Sequence, residues 1–420
     1  MKNRFLIIWV NSGLTTKSSH VNAPYHFIHI GEVLNFIKGK LEEDIDLLDV
    51  EAEEIEFQEV IKKVIKNEYK AIAFYTNTEN LQNTITLLNI IKKITPNVKT
   101  IAYGEMPIFL PKFFKKTNFD AIVAKECDQE IAILDFFNYS IHREDKNNLR
   151  GVIFIKDGYL EKSKKGCYLE PEEWGYPEEG QIPIQKYYKM EGKPQVVLTI
   201  SRGCPYNCQY CNAVSYYGKK ERRRPINKVI DFINNAETSL FKFFAPNFTL
   251  DESYVFELCD ALKVNKKKIK WSCTTRPDLL ENEELIKKMA ETGCYKIAVG
   301  IESVEEKDLK SINKRYKKSK IVEGIKLLKK YGIEYKALIM FGVPKQTKDN
   351  IKYTLNFLNQ YGVTIRPTAY TPFYEMNHNM NAEQISHYDK RTYYEGIENL
   401  NYGDFLRLIY DTEHYQKILK

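Results

Sequence analysis

Gln195-Val196-Val197-Leu198-Thr199-Ile200-Ser201-Arg202-Gly203-Cys204-Pro205-Tyr206-Asn207-Cys208-Gln209-Tyr210-Cys211 runs an apolar stretch straight into three cysteines. Val196 to Ile200 has the length and β-branched character of a strand buried on both faces. Gly203 allows a tight turn at the strand's end, and Pro205 removes an amide donor from the loop that follows. The other five cysteines, Cys127, Cys167, Cys259, Cys273 and Cys294, are scattered, which speaks for reduced thiols and against a disulfide framework.

Strand and helix signals alternate after this loop. Phe241 to Phe244, Ile269 to Cys273, Lys296 to Val299, Tyr335 to Met340 and Thr364 to Thr368 continue the series, so residues 191–370 read as an open (βα)6 barrel. Catalytic groups of such a barrel gather on the loops after the strands, where the cysteines stand. Residues 1–140 alternate in the same way, with strands expected at Phe5 to Val10, Ile45 to Val50, Ala71 to Tyr75, Thr100 to Tyr103 and Phe119 to Val123. Helices between them imply a doubly wound, five-stranded parallel sheet, so the fold class is α/β throughout. Residues 141–190, with Pro171, Pro177, Gly180 and Pro183 and a short strand candidate at Val152 to Ile155, read as a linker. Residues 371–420 form a C-terminal extension rich in Tyr and His. Tyr370, Tyr374, His378 and His387 are expected to pack rather than to act.

The chain has 420 residues, 43% of them hydrophobic, and carries 63 basic against 56 acidic residues for a net charge of +7. No apolar stretch reaches the roughly 20 residues of a membrane span, and no basic arm or RNA-binding signature appears, so neither membrane nor nucleic acid is expected. The apolar start, Phe5 to Val10, lacks a cleavage site and reads as a first strand, which makes a cytoplasmic location the default. Arg222-Arg223-Arg224 is expected to be a solvated turn ahead of a helix.

Structural zinc takes four Cys or His ligands, and no further Cys or His stands within about twenty residues of the cysteine loop. Three thiolates on four irons leave one iron open to a small molecule. The C-x3-C-x2-C spacing, with aromatic Tyr210 ahead of the last cysteine, resembles the radical S-adenosylmethionine (SAM) superfamily. That resemblance implies that Cys204, Cys208 and Cys211 hold a 4Fe-4S cluster, that its open iron binds SAM, and that SAM is cleaved to a 5'-deoxyadenosyl radical. Loops after later strands follow the family's order. Phe244-Ala245-Pro246-Asn247 follows the second, Trp271 to Asp278 the third, Gly300-Ile301-Glu302-Ser303 the fourth and Phe341 to Thr347 the fifth. Tyr210, Asn247, Arg276 and Glu302 are the SAM-binding candidates. Arg276 is expected to clamp the SAM carboxylate, and Glu302 to take a hydrogen bond from its amino group or ribose.

A doubly wound domain ahead of such a barrel is similar to the cobalamin-binding, Rossmann-like branch of the superfamily. Its candidate loops here contain Thr76 and Asn77, Gly104 and Glu105, and Glu126. Glu105 and Pro107 stand where that branch often carries a second glycine and a histidine, and no D-x-H-x-x-G motif occurs. The resemblance implies a methyltransferase that methylates a carbon of a small metabolite or peptide precursor. It would use cobalamin as a further cofactor and draw electrons from a flavodoxin or ferredoxin. A cobalamin-free peptide epimerase or cyclase is the second expectation, with Cys273 or Cys294 as a hydrogen donor. A non-catalytic iron-sulfur electron carrier is the third.

Overall fold

The structure is a computed structural model that describes residues 3–11, 26–142, 145–187, 189–190 and 193–419. Two sheets carry the fold. The first holds β1 (Arg4–Trp9), β2 (Asp44–Asp49), β3 (Ala71–Thr76), β4 (Lys99–Gly104) and β5 (Ala121–Val123), parallel and in the order 2-1-3-4-5. Alternation along β1 assigns its faces. Phe5, Ile7 and Trp9 pack with α1 (His26–Lys38) and α5 (Gln129–His142), while Leu6 and Ile8 pack with α2 (Phe57–Asn67) and α3 (Leu81–Ile94). Every residue of β3 is buried, as a central strand covered on both faces requires.

The segment expected to be a linker does more than connect. β6 (Val152–Lys156) and β7 (Tyr159–Lys162) form an antiparallel hairpin that extends the sheet beyond β5 to seven strands. Asp157-Gly158 makes its two-residue turn, with both residues at positive φ. Further on, Tyr187 donates a 2.6 Å hydrogen bond to Asp49 at the carboxyl end of β2.

The second sheet contains β8 (Val196–Thr199), β9 (Leu240–Phe244), β10 (Lys270–Thr275), β11 (Cys294–Glu302), β12 (Glu334–Phe341) and β13 (Thr364–Ala369). All pairs are parallel and the spatial order follows the chain, which gives a six-stranded barrel open between β8 and β13. The first domain covers its β8 edge, where the backbone N–H of Thr199 donates to Glu32 Oε1 of α1 at 3.1 Å. The extension spans both halves. Met376 and Ile385 complete the core over α2 and α3, whereas Phe405, Leu408 and Leu419 enter the barrel core. Among the described residues no helix is long and apolar enough to cross a membrane.

The arginine run is not a solvated turn. Arg222 and Arg223 are half-buried and Arg224 is wholly buried, its guanidinium donating to the carbonyls of Thr199, Trp174 and Gly175. Carboxylates that no local pattern could reveal draw these cations inward. Arg202, 3% exposed, meets Glu32 at 3.0 Å, Glu130 at 2.7 Å and Asp128 at 3.3 Å, and Arg222 shares Asp128 at 2.8 Å. The Trp174 ring lies 4.6 Å from the Arg202 guanidinium. These pairs join the barrel to the first domain at the residue before the cysteine loop. Arg202→Ala takes the cation from buried Glu130 and leaves Asp128 to Arg222 and Glu32 to Arg224, and we expect chemical denaturation to show a loss of about 3–5 kcal/mol. A loss below about 1 kcal/mol would mean that water already screens the network.

Candidate active site

The cysteine loop is held at its base and along its outer side. Ser201-Arg202 pairs antiparallel with Arg222-Arg223. Gly203 then turns at φ +96°, where an added Cβ would lie 2.1 Å from the carbonyl oxygen of Lys220, so only glycine fits. Gln209 N–H donates to the Ile312 carbonyl at 3.0 Å, and the Asn313 amide to the Asn207 carbonyl at 2.6 Å.

Each of the three sulfurs faces an N–H donor from a different element, and Cys204 also takes the Tyr206 backbone N–H. Asn247 Nδ2, after β9, lies 3.3 Å from Cys204 Sγ, and the Ala213 N–H, at the start of a short helix (Ala213–Tyr217), lies 3.5 Å from Cys211 Sγ. Arg276 Nη1, after β10, lies 3.9 Å from Cys208 Sγ. Burial pushes the Cys204 and Cys211 thiols above their ordinary range, a shift that metal coordination reverses by binding the thiolate. All three cysteines line one cavity of about 540 Å³. Among the described residues no three Cys, His, Asp or Glu side chains converge as a single metal ion requires. A cubic four-iron cluster needs the other arrangement, in which each thiolate reaches a separate corner around a shared volume.

Arg276 does not present the open fork expected of it. Asp278 occupies that fork through Nε at 2.9 Å and Nη2 at 3.1 Å, and the guanidinium stacks on Tyr206 at 4.0 Å. A bidentate carboxylate clamp is therefore replaced by a cation turned toward Cys208.

Glu302 occupies an irregularity in β11 where the register with β12 shifts between Gly300 and Glu302. Its φ of +66° is unusual for a residue with a side chain and marks strain held by the surroundings. Oε1 accepts from Tyr210 Oη at 2.9 Å and from Lys314 Nζ at 2.7 Å, and Lys314 Nζ lies 3.1 Å from Tyr210 Oη. Burial, and next the Glu302 charge, keep the Tyr210 phenol well above its usual range and therefore neutral. Lys314 is 3% exposed and was not legible in the sequence, where it is one lysine among many. A Cβ on Gly300 would stand 2.9 Å from both Glu302 Oε1 and Lys314 Nζ, the ends of two flexible side chains, so a methyl group there would shift this ion pair.

Of the five candidates in the first domain, Asn77 and Glu105 line the same cavity, and Glu105 accepts from Asn212 Nδ2 at 2.8 Å. Thr76 is buried with its hydroxyl on the Tyr103 carbonyl, and the backbone of Gly104 is paired with the Gln129 side chain. Glu126 lies outside the cavity, exposed beside Lys165. No sequence pattern marks Trp9 and Tyr75, whose rings stack at 4.1 Å and line the cavity from the carboxyl ends of β1 and β3. That is the point where the strand order reverses, the usual ligand crevice of a doubly wound sheet. Cys273 and Cys294 sit in the barrel core away from the cavity, which removes them as hydrogen donors. Tyr370, Tyr374, His378 and His387 do not line it either.

Residues 198–358 match the family described as the radical SAM superfamily. The chain carries a radical SAM domain. Its cofactors are a 4Fe-4S cluster and SAM, and the chemistry of three thiolates around one void fits the former. The chain is 24% identical over 340 residues to an uncharacterised methyltransferase of Pyrococcus horikoshii, covering 79% of this chain and 73% of that one. It is 21% identical over 355 residues to the anaerobic magnesium-protoporphyrin IX monomethyl ester cyclase of Rubrivivax gelatinosus, covering 82% of this chain but 64% of the cyclase. Its fold resembles that of the radical SAM methyltransferase TsrM from Kitasatospora setae, solved with cobalamin and a 4Fe-4S cluster, at a TM-score of 0.69 and 13% identity. That likeness covers 89% of this chain and 74% of TsrM.

Replacing Cys204, Cys208 or Cys211 singly by Ala is expected to abolish stoichiometric iron binding in anaerobically reconstituted protein, read as iron content and visible absorbance. Gly300→Ala is expected to weaken SAM binding about tenfold or more by parting Glu302 from Lys314. Unchanged affinity by calorimetry would place SAM elsewhere in the cavity.

Proposed function

We propose that this radical SAM enzyme is a cobalamin-dependent methyltransferase acting on a carbon of a small metabolite or peptide precursor. One observation carries the reading. A single cavity is lined both by the three cysteines and by Trp9, Tyr75, Asn77 and Glu105 at the carboxyl edge of the first sheet. A purely structural first domain has no need to open its switch point onto the barrel mouth.

The donor set fits a corrinoid. The Trp9 and Tyr75 stack offers a flat surface, and Asn77 and Glu105 offer groups that pair with the amides around a corrin ring. When bound, the cluster with SAM supplies the radical initiator and cobalamin the methyl carrier. The chain's own residues bind and orient. Asn247, the Ala213 N–H and Arg276 hold the three sulfurs, and the Glu302 carboxylate is placed to accept from the SAM ammonium. Lys314 and Tyr210 fix Glu302, while the apolar lining keeps water from the reacting atoms. Chemistry of this kind also needs single electrons, which a flavodoxin or ferredoxin would deliver.

Reduced, anaerobic protein mixed with SAM should release 5'-deoxyadenosine, and protein loaded with hydroxocobalamin should keep about one corrinoid per chain through gel filtration. Trp9→Ala should lose the corrinoid and keep the iron. Iron binding without SAM cleavage would leave only an electron carrier. SAM cleavage without corrinoid retention would replace methyl transfer by epimerisation or by ring closure, the reaction recorded in the name of the cyclase relative.

A further inference from the structure

Beyond cofactor binding, the cavity contains a cation that no carboxylate among the described residues neutralises. Of the other cations that line the cavity, Arg276 pairs with Asp278, Lys314 with Glu302 and Arg391 with Asp389, and Arg366 also has a partner. Lys390 also lines the cavity, and among the described residues no carboxylate pairs with its ammonium. Its one described side-chain neighbour is the Phe373 ring at 5.1 Å, and its charge reaches the Cys211 thiol.

The backbone around Lys390 is built to hold this position. Asp389 and Arg391 on either side are 3% and 6% exposed and closed on each other by Nε–Oδ1 and Nη2–Oδ2 contacts of 3.0 and 2.8 Å. Arg391 reaches Glu79 of the first domain at 3.3 Å, and the Lys390 carbonyl accepts from the Ala369 N–H at the end of β13 at 2.6 Å. Lys390 is thus an exposed residue pinned between two buried ones, fastened to both halves of the molecule. The cavity wall contributed by the barrel and the extension includes Leu338, Met340, Ile409 and Tyr410.

A neutral substrate filling this cavity would strip water from the ammonium and return nothing, whereas an anion would return a charge-assisted hydrogen bond. Resting on the enzyme reading above, we infer that the substrate has an apolar body and one anionic group, carboxylate or phosphate, which Lys390 binds. This makes Lys390 a specificity-determining residue supplied by the C-terminal extension.

The test uses cluster-loaded protein with SAM and three probes of similar shape, 2-naphthoate, 2-naphthyl phosphate and neutral 2-naphthamide, titrated by fluorescence. Both anions should bind at least about tenfold tighter than the amide. Lys390→Gln should erase that preference and Lys390→Arg should restore most of it, and the tighter anion names the group. Equal binding of all three probes by the unmodified protein, no binding of either anion, or a preference that survives in Lys390→Gln would overturn the assignment. So would a loss of SAM affinity in Lys390→Gln with the preference intact, since the cation would then serve the cosubstrate. Failure of the unmodified protein to cleave SAM would sink the enzyme reading instead, and it would leave the anion preference as a separate result.

Discussion

Arg202 is a guanidinium removed from water and held by three carboxylates, all contributed by the first domain. Removing such a charge from solvent is tolerable only when partners surround it, so the interaction constrains both sides at once. Glu32 sits on a helix of the first sheet, and Asp128 and Glu130 lie at the start of another, so the barrel can dock in one register only. Two residues after Arg202 comes Cys204. The position of the cysteine loop relative to the first domain is thus set by electrostatics next to it, and the continuity of the cavity follows from that register.

Much of the architecture is readable from short apolar runs. All eleven strands expected from the sequence in the two parallel sheets occur, and β3, buried at every residue because both its faces are covered, is the clearest case. The cysteine loop is equally legible, since its spacing is local. What escaped the reading depends on distant partners. Arg224 resembles any surface arginine until Thr199, Trp174 and Gly175 present their carbonyls to it. Arg276 stands where a SAM-binding arginine is expected, yet Asp278, two residues on, takes its fork. Lys314 carries no mark in a lysine-rich chain and acquires meaning only through Glu302. The strand expected at Val152 to Ile155 occurs as β6, but its hairpin partner β7 is too exposed to show the apolar pattern of a buried strand.

The site itself is arranged by charge. Three sulfurs receive N–H donors, a glutamate in a strained conformation is held by a buried lysine, and one lysine faces the void with no carboxylate partner among the described residues. Such a distribution separates a region prepared for fixed cofactors, where charges are already balanced, from a region where the incoming molecule completes the balance.

Met376 and Ile385 seal the core above α2 and α3, so an early-synthesised layer of the protein waits for a late one. While the ribosome is still translating the barrel, the helices of the N-terminal half emerge with a bare apolar patch that no earlier residue covers. The apolar surface over α2 and α3 is therefore covered only once the segment that carries Met376 and Ile385 has folded back onto it.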